Sequence, residues 1–237
     1  MSFSGDQGRL KTYFQPIVKI STQEIYAHEC LARWELSTGY AVTAGELVGL
    51  MQQLGALDHF NQYLWRFAMN FSGESPFISI NASPRDLRKQ LADIFECVES
   101  SGMPVSQLIV EIAEPPVRHS EAINLKEAIA VLNQAGAQVW MTEAGLDRKS
   151  LESAHWLGLT GVKIDGRISR DYQMHAVPAA VQILHELGMV AIAEKVESRV
   201  DLHRVANAGF DYAQGYHLGA PSPKPAPLTV SPTGDSL

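Results

Sequence analysis

The amino-acid sequence predicts one α/β domain folded as a closed (β/α)8 barrel. Two observations carry the prediction. First, a short apolar run that ends in a polar residue recurs along the chain: residues 77–80 run into Asn81, 108–110 into Glu111, 139–141 into Thr142 and Glu143, 162–164 into Asp165, 190–193 into Glu194 and 211–213 into Gln214. Apolar runs of this length suit strands buried on both faces, and a polar residue at strand after strand is the pattern of a barrel's functional end. Second, these runs alternate with helical segments that each stop at a glycine. Such alternation implies parallel strands joined by right-handed crossovers. An open doubly wound sheet is the alternative topology.

Taken in order, residues 1–12 are polar and read as a flexible N-terminus. Residues 13–18 read as a first strand with Pro16 near its end, and 24–33 as a second. Thr43 and Glu46 form a capping box for a helix running towards Leu54, with Gly55 as its stop. Residues 57–71 read as a helix whose Leu57, Phe60, Leu64 and Phe67 form an apolar stripe suited to the core. Ser83 and Pro84 supply a cap and a first helical residue for a helix ending near Gly102. Strand 107–111 follows. Ser120 caps a helix ending at Gly136, before strand 138–142. A short helix over 149–157 ends at Gly158, before strand 161–164. A helix from Pro178 ends at Gly188, before strand 190–194. Ser198 caps a helix ending at Gly209, before strand 211–214. The strands number eight. Pro221, Pro223, Pro225 and Pro227 rule out a helix interior or a central strand beyond the barrel, so 13–220 reads as the barrel domain and 221–237 as a flexible tail.

Bulk properties agree. A length of 237 residues suits a barrel, typically about 250 residues long. A net charge of −7 argues against binding DNA or RNA polymers, although metal ions or a few arginines would still admit a small anion. Cys30 and Cys97 form no CxxC and read as buried thiols of a reducing compartment. No leader-like apolar run opens the chain, and none approaches the roughly 18 residues of a membrane span. The expected location is cytoplasmic. No HExxH, GxGxxG or P-loop pattern is present.

On a barrel the exit residues converge. Here they are Glu29, Asn81, Glu111, Thr142 with Glu143, Lys163 with Asp165, Glu194 and Gln214. Carboxylates with an amide and no histidine make a hard oxygen site, suited to Mg2+ or Mn2+ rather than zinc. Carboxylates sharing one pocket repel one another without a cation. In a metal-free site Lys163 is expected to pair with Glu143 or Glu194.

The residues that form this constellation lie in seven phrases, in order: Phe14-Gln15-Pro16-Ile17-Val18, Glu29-Cys30-Leu31-Ala32-Arg33, Asn81-Ala82-Ser83, Glu111-Ile112-Ala113-Glu114, Lys163-Ile164-Asp165, Ala193-Glu194-Lys195-Val196-Glu197-Ser198 and Asp211-Tyr212-Ala213-Gln214-Gly215-Tyr216. They resemble the motifs YQPIV, E-A-L-L-R, N-x-S, E-I-T-E, K-I-D, A-E-G-V-E-T and D-Y-A-Q-G-Y of the EAL domain family, the bacterial cyclic di-GMP phosphodiesterases. The resemblance implies a TIM-like barrel and a two-metal hydrolysis of one phosphodiester bond, in which paired cations activate water and stabilise both oxygens of an in-line displacement. It implies Glu29, Asn81, Glu111 and Glu194 as metal ligands and Lys163 as a residue that positions the attacking water. It further implies Gln15, Arg33, Asp165 and Gln214 at the nucleotide, Arg33 through a phosphate, with Glu114 and Glu197 as structural supports.

The resemblance breaks most sharply at one motif. Where the family carries D-D-F-G-T-G, this chain has Thr142-Glu143-Ala144-Gly145-Leu146-Asp147. The first aspartate, implied as a bridge between metals, is replaced by a neutral hydroxyl. The second becomes Glu143, the same charge on a longer arm. Three readings follow: a receptor that binds cyclic di-GMP without hydrolysing it, a slow phosphodiesterase rescued by Glu143, and a protein-interaction module. Two further departures bear on assembly. The stretch from Lys163 to Glu194 is about five residues shorter than expected, in a region where loops vary, which puts the family homodimer in question. A closing helix after the last strand is replaced by the proline-rich tail, which exposes one side of the barrel to a protein partner.

Overall fold

The computed structural model describes residues 4–5, 8–36, 41–42, 44–113, 119–142, 144–165 and 176–227. The strands are β1 (Ser4–Gly5), β2 (Gly8–Lys19), β3 (Ile25–Leu36), β4 (Ala41–Val42), β5 (Ile78–Ala82), β6 (Leu108–Ala113), β7 (Gln138–Thr142), β8 (Gly161–Asp165), β9 (Val190–Glu194) and β10 (Tyr212–Gln214). The helices are α1 (Ala44–Gln53), α2 (Leu57–Met69), α3 (Leu87–Ser101), α4 (His119–Gln134), α5 (Arg148–Leu157), α6 (Ala176–Glu186) and α7 (Arg199–Asn207).

The sheet closes on itself in the order β2-β10-β9-β8-β7-β6-β5-β3-β2, with β1 and β4 as short outliers. All neighbours around the ring are parallel except β2, which runs antiparallel to both β3 and β10. The cause is the short β2–β3 connection: a few residues join antiparallel strands, whereas a parallel crossover needs a dozen or more. This antiparallel entry departs from the all-parallel pattern of the later units.

The first strand begins at Gly8 rather than Tyr13. Residues 8–12 alternate in burial, because Leu10 and Thr12 face the core while Arg9 and Lys11 face outward. A polar count hides this period-two pattern. The expected Ser83 cap is also displaced. Helix α3 starts at Leu87, and the Ser83 hydroxyl instead donates to Asp86 Oδ2 at 3.1 Å. Asp147 and Ser198 do cap α5 and α7. Gly158 and Gly209 end helices with φ of +87° and +89°, the left-handed stop that only glycine takes cheaply. Thr43, the cap expected for α1, lies outside the described residues.

Alternation along each strand sorts two cores. Outward residues such as Phe14, Ile78, Ile80, Val110, Ile112, Val139, Val162, Ile164, Ala193 and Ala213 pack under the helices. Inward residues Ile17, Ala27, Ile109, Trp140 and Ile192 fill the barrel floor. Register between β2 and β3 skips at Tyr26, and this bulge turns the tyrosine inward. There its ring lies 4.6 Å from Phe77 and 4.3 Å from Tyr212, between centroids. Gln138 donates to the Tyr26 hydroxyl at 2.7 Å, and the Trp140 indole donates to Gln138 at 3.2 Å. The floor is thus closed, and the polar ends of the strands gather above it.

The segment after β10 is docked. Phe14 and Ser222 exchange backbone hydrogen bonds of 2.7 and 3.0 Å, and the Ala226 N–H donates to His28 Nε2 at 3.0 Å. Residues 221–226 therefore lie along the outer face of β2 and β3, where proline's extended geometry suits an edge contact.

Candidate functional site

One step up each strand from the floor, the inward position is polar. Glu29 follows Ala27, Glu111 follows Ile109, Thr142 follows Trp140, Lys163 follows Gly161, Glu194 follows Ile192 and Gln214 follows Tyr212. Ser79 and Asn81 occupy successive inward positions of β5. The period of two turns these side chains inward, and the ladders stagger them, with Glu111 opposite Trp140 and Lys163 opposite Ile192.

Lys163 is the hub. It is fully buried, and its ammonium donates to Glu29 Oε2 at 3.0 Å, Glu111 Oε2 at 2.7 Å and Gln214 Oε1 at 3.0 Å. Glu194 Oε1 stands 3.7 Å away. Three donors thus find three acceptors, with a further carboxylate near by. Asn81 Nδ2 donates to Glu29 Oε1 at 3.1 Å, and Gln214 Nε2 donates to Glu29 Oε2 at 2.8 Å. The Ser79 hydroxyl donates to the other oxygen of Glu111.

The charges follow from this net. Burial opposes ionisation of Glu29, but Lys163, Asn81 and Gln214 outweigh it and hold the carboxyl below its usual range. At Glu111 burial dominates, and the neighbouring Glu29 charge adds to it, so its pKa is pushed up to about 7. Glu194 is raised for the same two reasons. Lys163 is held protonated: burial alone would discharge it, but Glu111, Glu29 and Glu194 together prevail.

The rim carries the remaining predicted residues. Gln15 Nε2 donates to the Gly219 carbonyl at 3.2 Å, and its Oε1 lies 3.4 Å from Gln214 Nε2. Arg33 lines a cleft with Tyr13, Tyr216, Ala220 and Pro221. One of its nitrogens donates to the Ala32 carbonyl at 3.1 Å. Asp165 accepts from Lys195 Nζ at 2.8 Å. Glu197 stands in the turn between β9 and α7, where its N–H donates to Asp201 at 3.2 Å. Thr142 turns its hydroxyl towards the Ile112 carbonyl at 3.4 Å. Glu114 and Glu143 lie outside the described residues.

Sequence reasoning missed three participants. Ser79 was legible, two residues before Asn81 on the same strand face. Tyr216, 67% exposed at the cleft, was legible only as a motif residue. The Lys195–Asp165 pair depends on an unusual backbone conformation at Lys195 that no local signal announces.

The donor set suits a hard cation in kind but not in disposition. Glu29 and Glu111 are drawn onto the Lys163 ammonium, and Thr142 offers no charge. Among the described residues no group of three or more His, Cys, Asp or Glu is arranged to hold a metal ion. The cation that these carboxylates contact in this structure is the Lys163 ammonium.

The comparisons with known proteins agree with this geometry. The family model described as EAL domain matches residues 3–221. The protein y4lL of Sinorhizobium fredii is 26% identical over 92% of this chain and 27% of its own length. Cyclic di-GMP phosphodiesterase NbdA of Pseudomonas aeruginosa is 23% identical over 91% of this chain and 29% of its own length. The chain thus spans under a third of these relatives. Among solved structures, the FimX EAL domain from Pseudomonas aeruginosa bound to c-di-GMP superposes with a TM-score of 0.75 at 21% identity, covering 90% of this chain and 91% of that one. No helix among the described residues is long and apolar enough to cross a membrane. A closed barrel with one antiparallel strand, a lysine-centred carboxylate net at its mouth and a family match over nearly its whole length lead to one conclusion: the chain belongs to the EAL domain family.

Proposed function

We propose that this chain is a receptor for cyclic di-GMP that binds the dinucleotide at the barrel mouth without hydrolysing it. The observation that carries the reading is the engagement of Lys163 with Glu29, Glu111 and Gln214. Phosphodiester hydrolysis needs an activated water. Lys163 is protonated and cannot accept the proton of a water, Glu29 is engaged by Asn81, Gln214 and Lys163, and both oxygens of Glu111 are engaged by Ser79 and Lys163. Thr142 supplies neither charge nor a base. The Lys163 ammonium offsets part of the negative charge of Glu29, Glu111 and Glu194, which lessens the repulsion that an anionic ligand meets at the mouth.

In this reading Arg33 binds one phosphodiester through its planar fork. Gln15 and the Gly219 carbonyl mark the polar edge of the cleft, and Tyr13 and Tyr216 offer ring faces for a base. Asp165 and Gln214 stand at the ligand, Glu29, Asn81, Glu111 and Glu194 form the floor beneath it, and Glu197 supports the adjoining turn. The likeness to the cyclic di-GMP phosphodiesterase NbdA and to the FimX EAL domain bound to c-di-GMP supports the ligand class.

The second reading, a slow phosphodiesterase using Mg2+ or Mn2+, is favoured by one specific fact: Glu29, Asn81, Glu111, Lys163 and Glu194 are all retained. Incubation with cyclic di-GMP and excess Mn2+, followed by chromatography, separates the two. The receptor reading expects the cyclic dinucleotide to be recovered intact and its binding to raise the melting temperature. Linear product formed at a catalytic rate and lost in Glu29→Ala would establish the enzyme instead.

A further inference from the structure

Lys195 adopts φ of +57°. Side chains take this left-handed conformation only under constraint, and such residues cluster at functional sites. The motif A-E-G-V-E-T has glycine at this position, where the conformation carries no penalty. A bulky cation here works against the backbone, so its side chain must be accounted for.

The Lys195 ammonium donates to Asp165 Oδ2 at 2.8 Å. It bridges the exits of β8 and β9, where Asp165 and Glu194 are paired across the ladder. Its side chain remains 46% exposed, whereas Lys163 below is fully buried and committed to the floor. Among the described residues, the β8–β9 side of the mouth therefore presents two carboxylates, Asp165 and Glu194, and one solvent-facing cation, Lys195. Arg33 stands on β3, which is separated from β9 by β10 and β2. Cyclic di-GMP carries two phosphodiesters, each with one negative charge. Arg33 accounts for one, and the other has no partner among the residues assigned above. Without a cation on the opposite side, Asp165 and Glu194 would repel it.

Building on the receptor reading, we propose that Lys195 binds the second phosphodiester of cyclic di-GMP, with Asp165 as its partner in the ligand-free chain. The contact with Asp165 holds the ammonium at the rim, where it supplies on the β9 side the charge that Arg33 supplies on the β3 side.

The test is calorimetric titration of cyclic di-GMP, with EDTA present, into the wild type, Lys195→Gly, Lys195→Met and Lys195→Arg. Glycine relieves the backbone and removes the charge; methionine keeps the backbone demand and removes the charge. Both are expected to bind about tenfold more weakly or worse, the scale of one charge-assisted contact, and arginine within about threefold of wild type. The glycine variant is expected to melt no lower than about 2 °C below wild type, since an exposed ion pair contributes little. Wild-type affinity in both the glycine and methionine variants would overturn this inference while leaving the receptor reading intact. Loss in glycine but not in methionine would also overturn it, because backbone rather than charge would then be responsible. Absence of binding by the wild type would remove the receptor reading and this inference with it.

Discussion

Lys163 gives the site its character at the scale of single residues. Removing one member of a buried ionic net leaves the others uncompensated, which typically costs about 3–5 kcal/mol. Lys163→Met is therefore expected to destabilise the fold by that order, read by denaturant unfolding. A loss below about 1 kcal/mol would show that Glu29 and Glu111 are neutral or solvated in its absence. His28 supplies a second prediction. It accepts the Ala226 N–H at Nε2, so its proton sits on Nδ1, within 2.8 Å of the Ser75 hydroxyl. Burial lowers its pKa to about 4, against about 6.5 in an unfolded chain. Between those values the unfolded chain binds the proton and the folded chain does not. The contribution of His28 is thus complete above pH ~6.5 and is lost as pH falls towards 4, up to about 3 kcal/mol at 1.36 kcal/mol per unit. His28→Gln is expected to flatten the fall in melting temperature between pH 7 and 4.5. An unchanged slope would show that His28 keeps its ordinary affinity for protons in the fold.

At the scale of elements, the barrel floor and the docked C-terminal segment make separate predictions. A Cβ on Gly161 would lie 2.7 Å from Trp140 Cδ1 and 2.8 Å from Val190 Cγ2. Gly161→Ala must therefore displace the indole that supports Gln138 and Tyr26, at a cost of roughly 1–3 kcal/mol. Near-UV circular dichroism and melting temperature together check this; an unchanged spectrum would show that the floor is loosely packed. The docked segment predicts that the Phe14 amide, which donates to the Ser222 carbonyl, exchanges slowly with deuterium. Rapid exchange would show that residues 221–226 leave the strand edge.

Much of this was legible in sequence. Six apolar runs ending in polar residues are the six strands from β5 to β10, and helix-ending glycines separate several of them. That Glu29, Glu111, Lys163 and Glu194 each face inward follows from strand period. What was hidden depends on contacts distant in sequence. Residues 8–12 look polar because only alternate side chains meet the core. The tail looks structureless because proline lacks a donor, yet Ser222 and Ala226 still have theirs. Lys163 was expected against Glu143 or Glu194; Glu194 stands 3.7 Å away, Glu29 and Glu111 stand closer at 3.0 and 2.7 Å, and Glu143 lies outside the described residues.

At the scale of the molecule, the chain carries a net charge of −7 and is proposed to bind an anion. Local charge offsets this: Lys163 compensates part of the carboxylate charge of the floor, while Arg33 and Lys195 stand at the rim. Affinity should therefore weaken with salt, since the rim cations are exposed to screening, and Arg33→Ala should reduce it by about tenfold or more. In the receptor reading a resident lysine does the work that a metal would do. Calorimetric titration of the wild-type chain with cyclic di-GMP in excess EDTA tests it most directly. The account predicts saturable binding with the same affinity before and after Mg2+ or Mn2+ replaces the chelator. Binding that occurs only once the divalent cation is supplied would contradict it.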